Sequence, residues 1–208
     1  MTGIANQADW TTAGGAHNAL AFLVHQMLGG LWTGTLVQIK ACTNSGGLAP
    51  TGTVDVQPLV NMVDGDGNST PHGILNGLLY FRMQGGSNAV IMDPSPGDIG
   101  WAVFASRDIS AVKATKAQAN PGSFRRFDAP DGMYIGGVLN GIPMQYALFS
   151  AGGISLVSPT AVTVQAPTIT LDGNVVTTGT LRNNGVNVGS THDHGNVENG
   201  EGVTGPPQ

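Results

Sequence analysis

Two histidines near the C-terminus are the residues whose type and spacing best suit chemistry. The stretch Ser190-Thr191-His192-Asp193-His194-Gly195 sets two imidazoles two residues apart. Side chains on an extended strand alternate between faces, so His192 and His194 share one face and Asp193 takes the other. Imidazole suits Fe, Ni, Cu and Zn, which makes the pair a candidate metal half-site. Two donors do not close a coordination sphere. The competing reading is a glycine-flanked surface loop with two chance histidines, and the segment ahead of the pair argues against it.

Residues 150–208 contain no aromatic residue, Cys, Met or Lys, and Arg182 is their only base. Short alternating runs follow one another: Ile154 to Leu156, Val162 to Ala166, Ile169 to Leu171, Val175 to Leu181 and Val186 to Val188. Turn residues separate them at Ser158-Pro159, Ala166-Pro167, Asp172-Gly173-Asn174 and Asn183-Asn184-Gly185. Strands this short need neighbours to bury their inner faces. With one copy per chain, those neighbours must be other chains. Slim Val, Thr and Ile suit a narrow intertwined shaft, read as a trimeric β-prism or β-helix, although composition does not itself set the number at three. Under three-fold closure, His192 and His194 would bring six nitrogens to one axis. That set is octahedral rather than the tetrahedral set of structural zinc, and it holds no carboxylate to favour Ca or Mg. An octahedral first-row ion such as Fe(II) fits it best. With every position filled by protein, such a site would clasp chain ends together and add to folding stability.

The elements that must carry this end are read from the rest of the chain. Leu20, Leu23, Val24, Met27, Leu28 and Leu31 form the apolar stripe of an amphipathic helix over 18–29, with Asn18 as N-cap and Gly29-Gly30 as the stop. From Leu31 to Ser106 the period changes to two. Thr35, Val37, Ile39 and Ala41 share one face of a first strand, and Val54 and Val56 point inward from a second. Leu78–Met83, Ala89–Met92 and Trp101–Ala105 read as three more. Five short strands with Gly- and Pro-rich turns suit a small closed barrel such as an OB-fold. Asp108 to Gln118 reads as a short helix capped by Asp108. The predicted organisation is an N-terminal segment 1–30, a barrel domain 31–120, a connector 121–150, a shaft 151–188 and an apex 189–208.

Composition narrows the function. The chain has 208 residues, 32 of them Gly, with 13 acids against 8 bases. A mildly acidic chain lacks the basic footprint of a nucleic-acid binder. Its single cysteine, Cys42, excludes an internal disulfide and any Cys-based zinc site. The longest apolar run, Ala19 to Val24, is far short of the ~20 residues that span a bilayer. No charged n-region precedes it, so a cytoplasmic product without a secretory signal is expected. Asp64-Gly65-Asp66-Gly67-Asn68 opens like a calcium loop, but Leu75 stands where the bidentate Glu belongs, and a plain turn is the better reading. His17 and His25 fit a solvated helix face, and His72 has no partner visible in sequence. No P-loop, dinucleotide fingerprint or spaced acid pair is present, so no catalytic or cofactor-binding residue is assigned and the chain is not expected to be an enzyme.

Several stretches resemble a known family. Thr53-Val-Asp-Val-Gln-Pro-Leu-Val60, Pro96-Gly-Asp-Ile-Gly-Trp-Ala-Val-Phe-Ala-Ser-Arg-Asp-Ile109 and Arg126-Phe-Asp128 are similar to the OB-fold domain of contractile-tail bacteriophage baseplate central spikes. Gly185-Val-Asn-Val-Gly-Ser-Thr-His-Asp-His-Gly195 and Thr204-Gly-Pro-Pro-Gln208 resemble the tip of the same proteins. The resemblance implies a homotrimer in the virion, with OB domains on the baseplate hub beneath the tail tube and a β-helical shaft. It also implies one iron ion per trimer on His192 and His194, and a point driven through the host outer membrane by sheath contraction. No small-molecule substrate is implied. Tips of this class often carry Thr or Ser between the two histidines; Asp193 departs from that. The spike of a phage-derived bacteriocin or injection system fits equally. A trimeric receptor-binding fibre would need a head after the shaft, where only Asn196 to Gln208 follow. A metal enzyme would need further ligands and a pocket.

Overall fold

A computed structural model describes residues 15–64 and 66–189. Helix α1 (Ala16–Gly29) precedes strands β1 (Gly34–Cys42), β2 (Thr53–Pro58), β3 (Met62–Val63), β4 (Ser69–Thr70), β5 (Leu75–Tyr80), β6 (Met83–Gly85), β7 (Asn88–Val90) and β8 (Ile99–Phe104). A short helix α2 (Ser110–Thr115) and a 3-10 turn at Ala129–Asp131 lead into β9 (Gly132–Gly136). Then come β10 (Tyr146–Ser150), β11 (Gly153–Val157), β12 (Arg182–Asn183) and β13 (Val186–Asn187). The chain divides into two compact units after Ile142.

In the first unit β1, β2, β5, β9 and β8 close into a barrel in that order. Every pair is antiparallel except β5 and β9, which run parallel. Period-two alternation explains the core. Val37 and Ile39 of β1, Val54 and Val56 of β2, Leu78 and Tyr80 of β5, Ala102 and Phe104 of β8, and Tyr134 of β9 are all buried. Ala41, expected to share the face of Val37 and Ile39, is exposed while they are buried. Strand β1 shifts register against β2 between Ile39 and Ala41, and this bulge hands the inward position to Cys42, which packs against the core. Gly100 meets a different demand. A Cβ there would lie 2.5 Å from Tyr134 Cε2, so only glycine lets β8 pass over the buried ring.

Three expectations change. The fifth barrel strand is β9, drawn from the stretch read as a connector, while Ala89 and Val90 belong to a two-stranded hairpin with β6 outside the barrel. Helix α1 begins at Ala16 with Gly15 at the N-cap, two residues ahead of the Asn18 start. The second helix is shorter than Asp108–Gln118, has Ile109 at its N-cap, and ends where Lys116 turns left-handed. Asp108 still accepts from the Ser110 amide at 2.8 Å. Among the described residues, no helix is long and apolar enough to cross a membrane.

Candidate functional site

The second unit exposes what the first buries. Strands β10 and β11 pair as a hairpin in which Phe149 faces Ile154, Ala147 faces Leu156 and Tyr146 faces Val157. Alternation puts Ala147, Phe149, Ile154 and Leu156 on one face, and Tyr146, Leu148 and Val157 on the other. Both faces are apolar and both are open: Phe149 is 73% exposed, Ile154 69% and Leu148 47%. A lone two-stranded hairpin is marginal in water. Strands apolar on both faces are those that end up covered on both.

From 158 to 181 the described chain forms no strand. Val162, Val164, Ile169, Leu171, Val175 and Val176 all face solvent there. The next ordered feature is the hairpin of β12 and β13. Its two-residue loop is Asn184-Gly185, with φ of 47° and 82°, the positive pair a type I′ turn requires. The Val188 amide donates to Leu181 O at 2.9 Å and closes one more rung. This is the turn expected from Asn183-Asn184-Gly185.

His192 and His194 lie outside the described residues, as do Asp193 and nearly all of the predicted apex. Among the described residues no group of three or more His, Cys, Asp or Glu could hold a metal ion. His17 and His25 are exposed on α1. His72 does have a neighbour: its ring lies 5.1 Å from that of Trp32, which also contacts Phe104 at 5.1 Å. Asp64 is a turn cap, with Oδ1 accepting from the amides of Asp66 at 3.0 Å and Asn68 at 2.7 Å. Hydrogen bonds from Asn68 hold its carboxyl below the usual range.

Two buried charge clusters position the barrel's loops, and sequence reasoning found neither. Asp108 follows β8 and Asp131 precedes β9, so they mark the two ends of the long connection to the fifth strand. Arg125 holds both, through Nη2 to Asp108 Oδ1 at 2.8 Å and Nε to Asp131 Oδ2 at 2.7 Å. Both carboxylates are 1% exposed. At the second cluster, Asp93 accepts from Tyr80 Oη at 2.6 Å and from Arg82 Nη2 at 2.5 Å. Arg82 Nη1 donates to Ala49 O, and Asn44 Nδ2 reaches both Tyr80 Oη and Pro50 O. This cluster pins the β1–β2 loop to the end of β5. A cleft of about 410 Å³ lies beside it, lined by Phe81, Met83, Met92 and Ile135 with Asp98 and Asn140. Two of its polar groups are committed to loops, with Asp98 accepting from the Ser95 amide and Asn140 from the Ile99 amide, while Arg82 Nε, also in the lining, is buried with no hydrogen-bond partner.

The first cluster makes stability depend on pH. Hydrogen bonds from the Ser110 hydroxyl and amide and from Ser123, with the Arg125 charge, hold the Asp108 carboxyl down at about 2. Asp131 is lowered too, chiefly by its bonds from Arg125. A folded pKa below the unfolded value means that the stabilisation is whole above about pH 4 and is lost as pH falls toward 2. The melting temperature of the native chain is expected to drop across that window, and Asp108→Asn to flatten the drop. Parallel profiles for the two proteins would contradict the assignment.

The described residues define a mainly β protein with a closed five-stranded barrel, and in its second unit the apolar side chains are exposed in the single chain. No protein-family model matches the chain, and no curated protein matches it.

Proposed function

We propose that this chain is the central spike of a contractile-tail baseplate, or of a related injection particle: a homotrimer that caps the tail tube and hub and carries a stiff point through the host outer membrane. The observation that carries the reading is the hairpin of β10 and β11, apolar and open on both faces, continued by an extended run of exposed Val, Ile and Leu to residue 181. Such a segment gains a core only from further copies of itself. The barrel order β1-β2-β5-β9-β8 adds support, because a five-stranded Greek-key barrel is the OB arrangement expected at the hub end. Force comes from sheath contraction, so the task needs stiffness and no catalysis. Interlocked chains unfold only together, which supplies kinetic stability. In this reading His192 and His194 of three chains hold one iron ion as a structural clasp.

Mass and metal content of the purified full chain test both halves. The mass of a trimer is expected, with about one-third of an iron ion per chain, as one octahedral site per trimer requires. The double variant His192→Ala with His194→Ala should lose the metal. A monomer or dimer would remove the architecture. A trimer whose metal content survives the double variant would remove only the tip assignment.

A further inference from the structure

Helix α1 presents an apolar stripe that the barrel does not cover. No α1 residue is buried. Leu20 is 62% exposed, Leu23 56%, Met27 73% and Leu28 58%. The stripe has a register. With Leu20 at a d position, Val24 falls at a, Met27 at d and Leu31, just past the helix end, at a. Leu23 and Leu28 then fall at the flanking g and e positions. A two-helix seam uses a narrow a and d stripe; apolar g and e positions widen it to the face that a bundle of three or more helices buries.

The chemistry of the other face decides between occupants. Residues 16–29 contain no Lys, Arg, Asp or Glu. A helix lying on a membrane surface carries Lys and Arg along its polar side, and α1 has none. A charged partner would find no complement here. Copies of α1, by contrast, meet with no like-charge opposition. His17 takes the next a position in the first turn, where a single polar layer fixes register.

We infer that α1 is an assembly element: the α1 helices of three chains pack in parallel through Leu20, Leu23, Val24, Met27 and Leu28. This rests on the trimeric reading above. Chains already joined through the C-terminal unit hold their helices at high effective concentration, so a short helix that would be marginal alone can associate. The bundle ties the three chains together ahead of the barrels in sequence, as the shaft ties them after.

Position-specific disulfide trapping tests this in the full-length chain. In a Cys42→Ser background, Met27→Cys sits in the bundle core and His25→Cys sits on its outer side. Mild oxidation is expected to give covalent dimers from Met27→Cys at least about tenfold faster than from His25→Cys, because only core positions bring Cα atoms within disulfide reach. Ultracentrifugation of the same samples before oxidation separates the two ideas. A trimeric mass with equal or no trapping at the two positions overturns the helix bundle and leaves the trimer standing. A monomeric mass overturns the trimeric reading and the bundle with it. Trimers in which Cys at position 27 reacts with a bulky maleimide as fast as Cys at 25 also overturn it.

Discussion

Aspartate at both Phe149 and Ile154 is expected to turn the proposed trimer into a monomer. The two side chains face each other across β10 and β11 and are 73% and 69% exposed in the single chain. In the trimeric reading they are covered by neighbouring copies. Burying a side chain of this size is worth about 1.5–3 kcal/mol, so each chain forfeits two such terms. The carboxylates add a desolvation penalty of several kcal/mol apiece if the interface closes over them. The loss recurs in all three chains, and it exceeds what most interfaces can absorb. Ultracentrifugation reads the outcome, and near-ultraviolet circular dichroism from Trp32, Trp101 and Tyr134 reports whether the barrel stays folded. A barrel that holds while the mass falls to one-third is the predicted pair of results. An unchanged trimer would mean that this hairpin is not the contact. Variants on the opposite face, such as Leu148→Asp, should act in the same direction, because both faces are apolar.

Leu78→Ala is expected to be the most damaging conservative change in the barrel. Leu78 is fully buried on β5, the strand that pairs with β2 on one side and with β9 on the other. Gly132 of β9 lies so close to it that a Cβ there would sit 2.8 Å from Leu78 Cδ2 and 2.8 Å from Phe104 Cε1. Close packing of this kind leaves little room for collapse around a deletion. Leu to Ala in such a site costs about 2–5 kcal/mol. A small domain has only about 5–15 kcal/mol in total, so the barrel should melt lower by roughly ten degrees or more. Thermal unfolding of the variant beside the native chain measures it. A shift of only a degree or two would show that the β5–β9 contact is looser than its geometry. The mass of the proposed trimer should survive, since the change lies far from the exposed segment in sequence and in the other compact unit.

These predictions divide along the same line as the sequence reading. Alternation alone located β1, β2 and β8, put Val37 and Ile39 on one face and named Val54 and Val56 as inward, because a half-buried strand writes its period into the chain. It could not see that β1 bulges after Ile39, since a bulge is decided by the partner strand. Nor could it choose the fifth strand. Ala89 to Met92 and Gly132 to Gly136 are both short apolar runs, and only the second finds β5 and β8. The loop just before it is held by Arg125 between Asp108 and Asp131, residues whose spacing has no periodic signature.

Sequence by itself showed that residues 150–208 lack the large side chains of an ordinary core. Their side chains are slim and alternating, they include no aromatic residue, and turn residues recur every few positions. Sequence also determined the helix stripe, because that follows from local geometry. Tertiary structure alone decided which strands close the barrel, which carboxylates are buried, and that Phe149, Ile154 and the α1 leucines stay uncovered in one chain. Those are matters of which distant surfaces meet, and a local period carries no information about its partner.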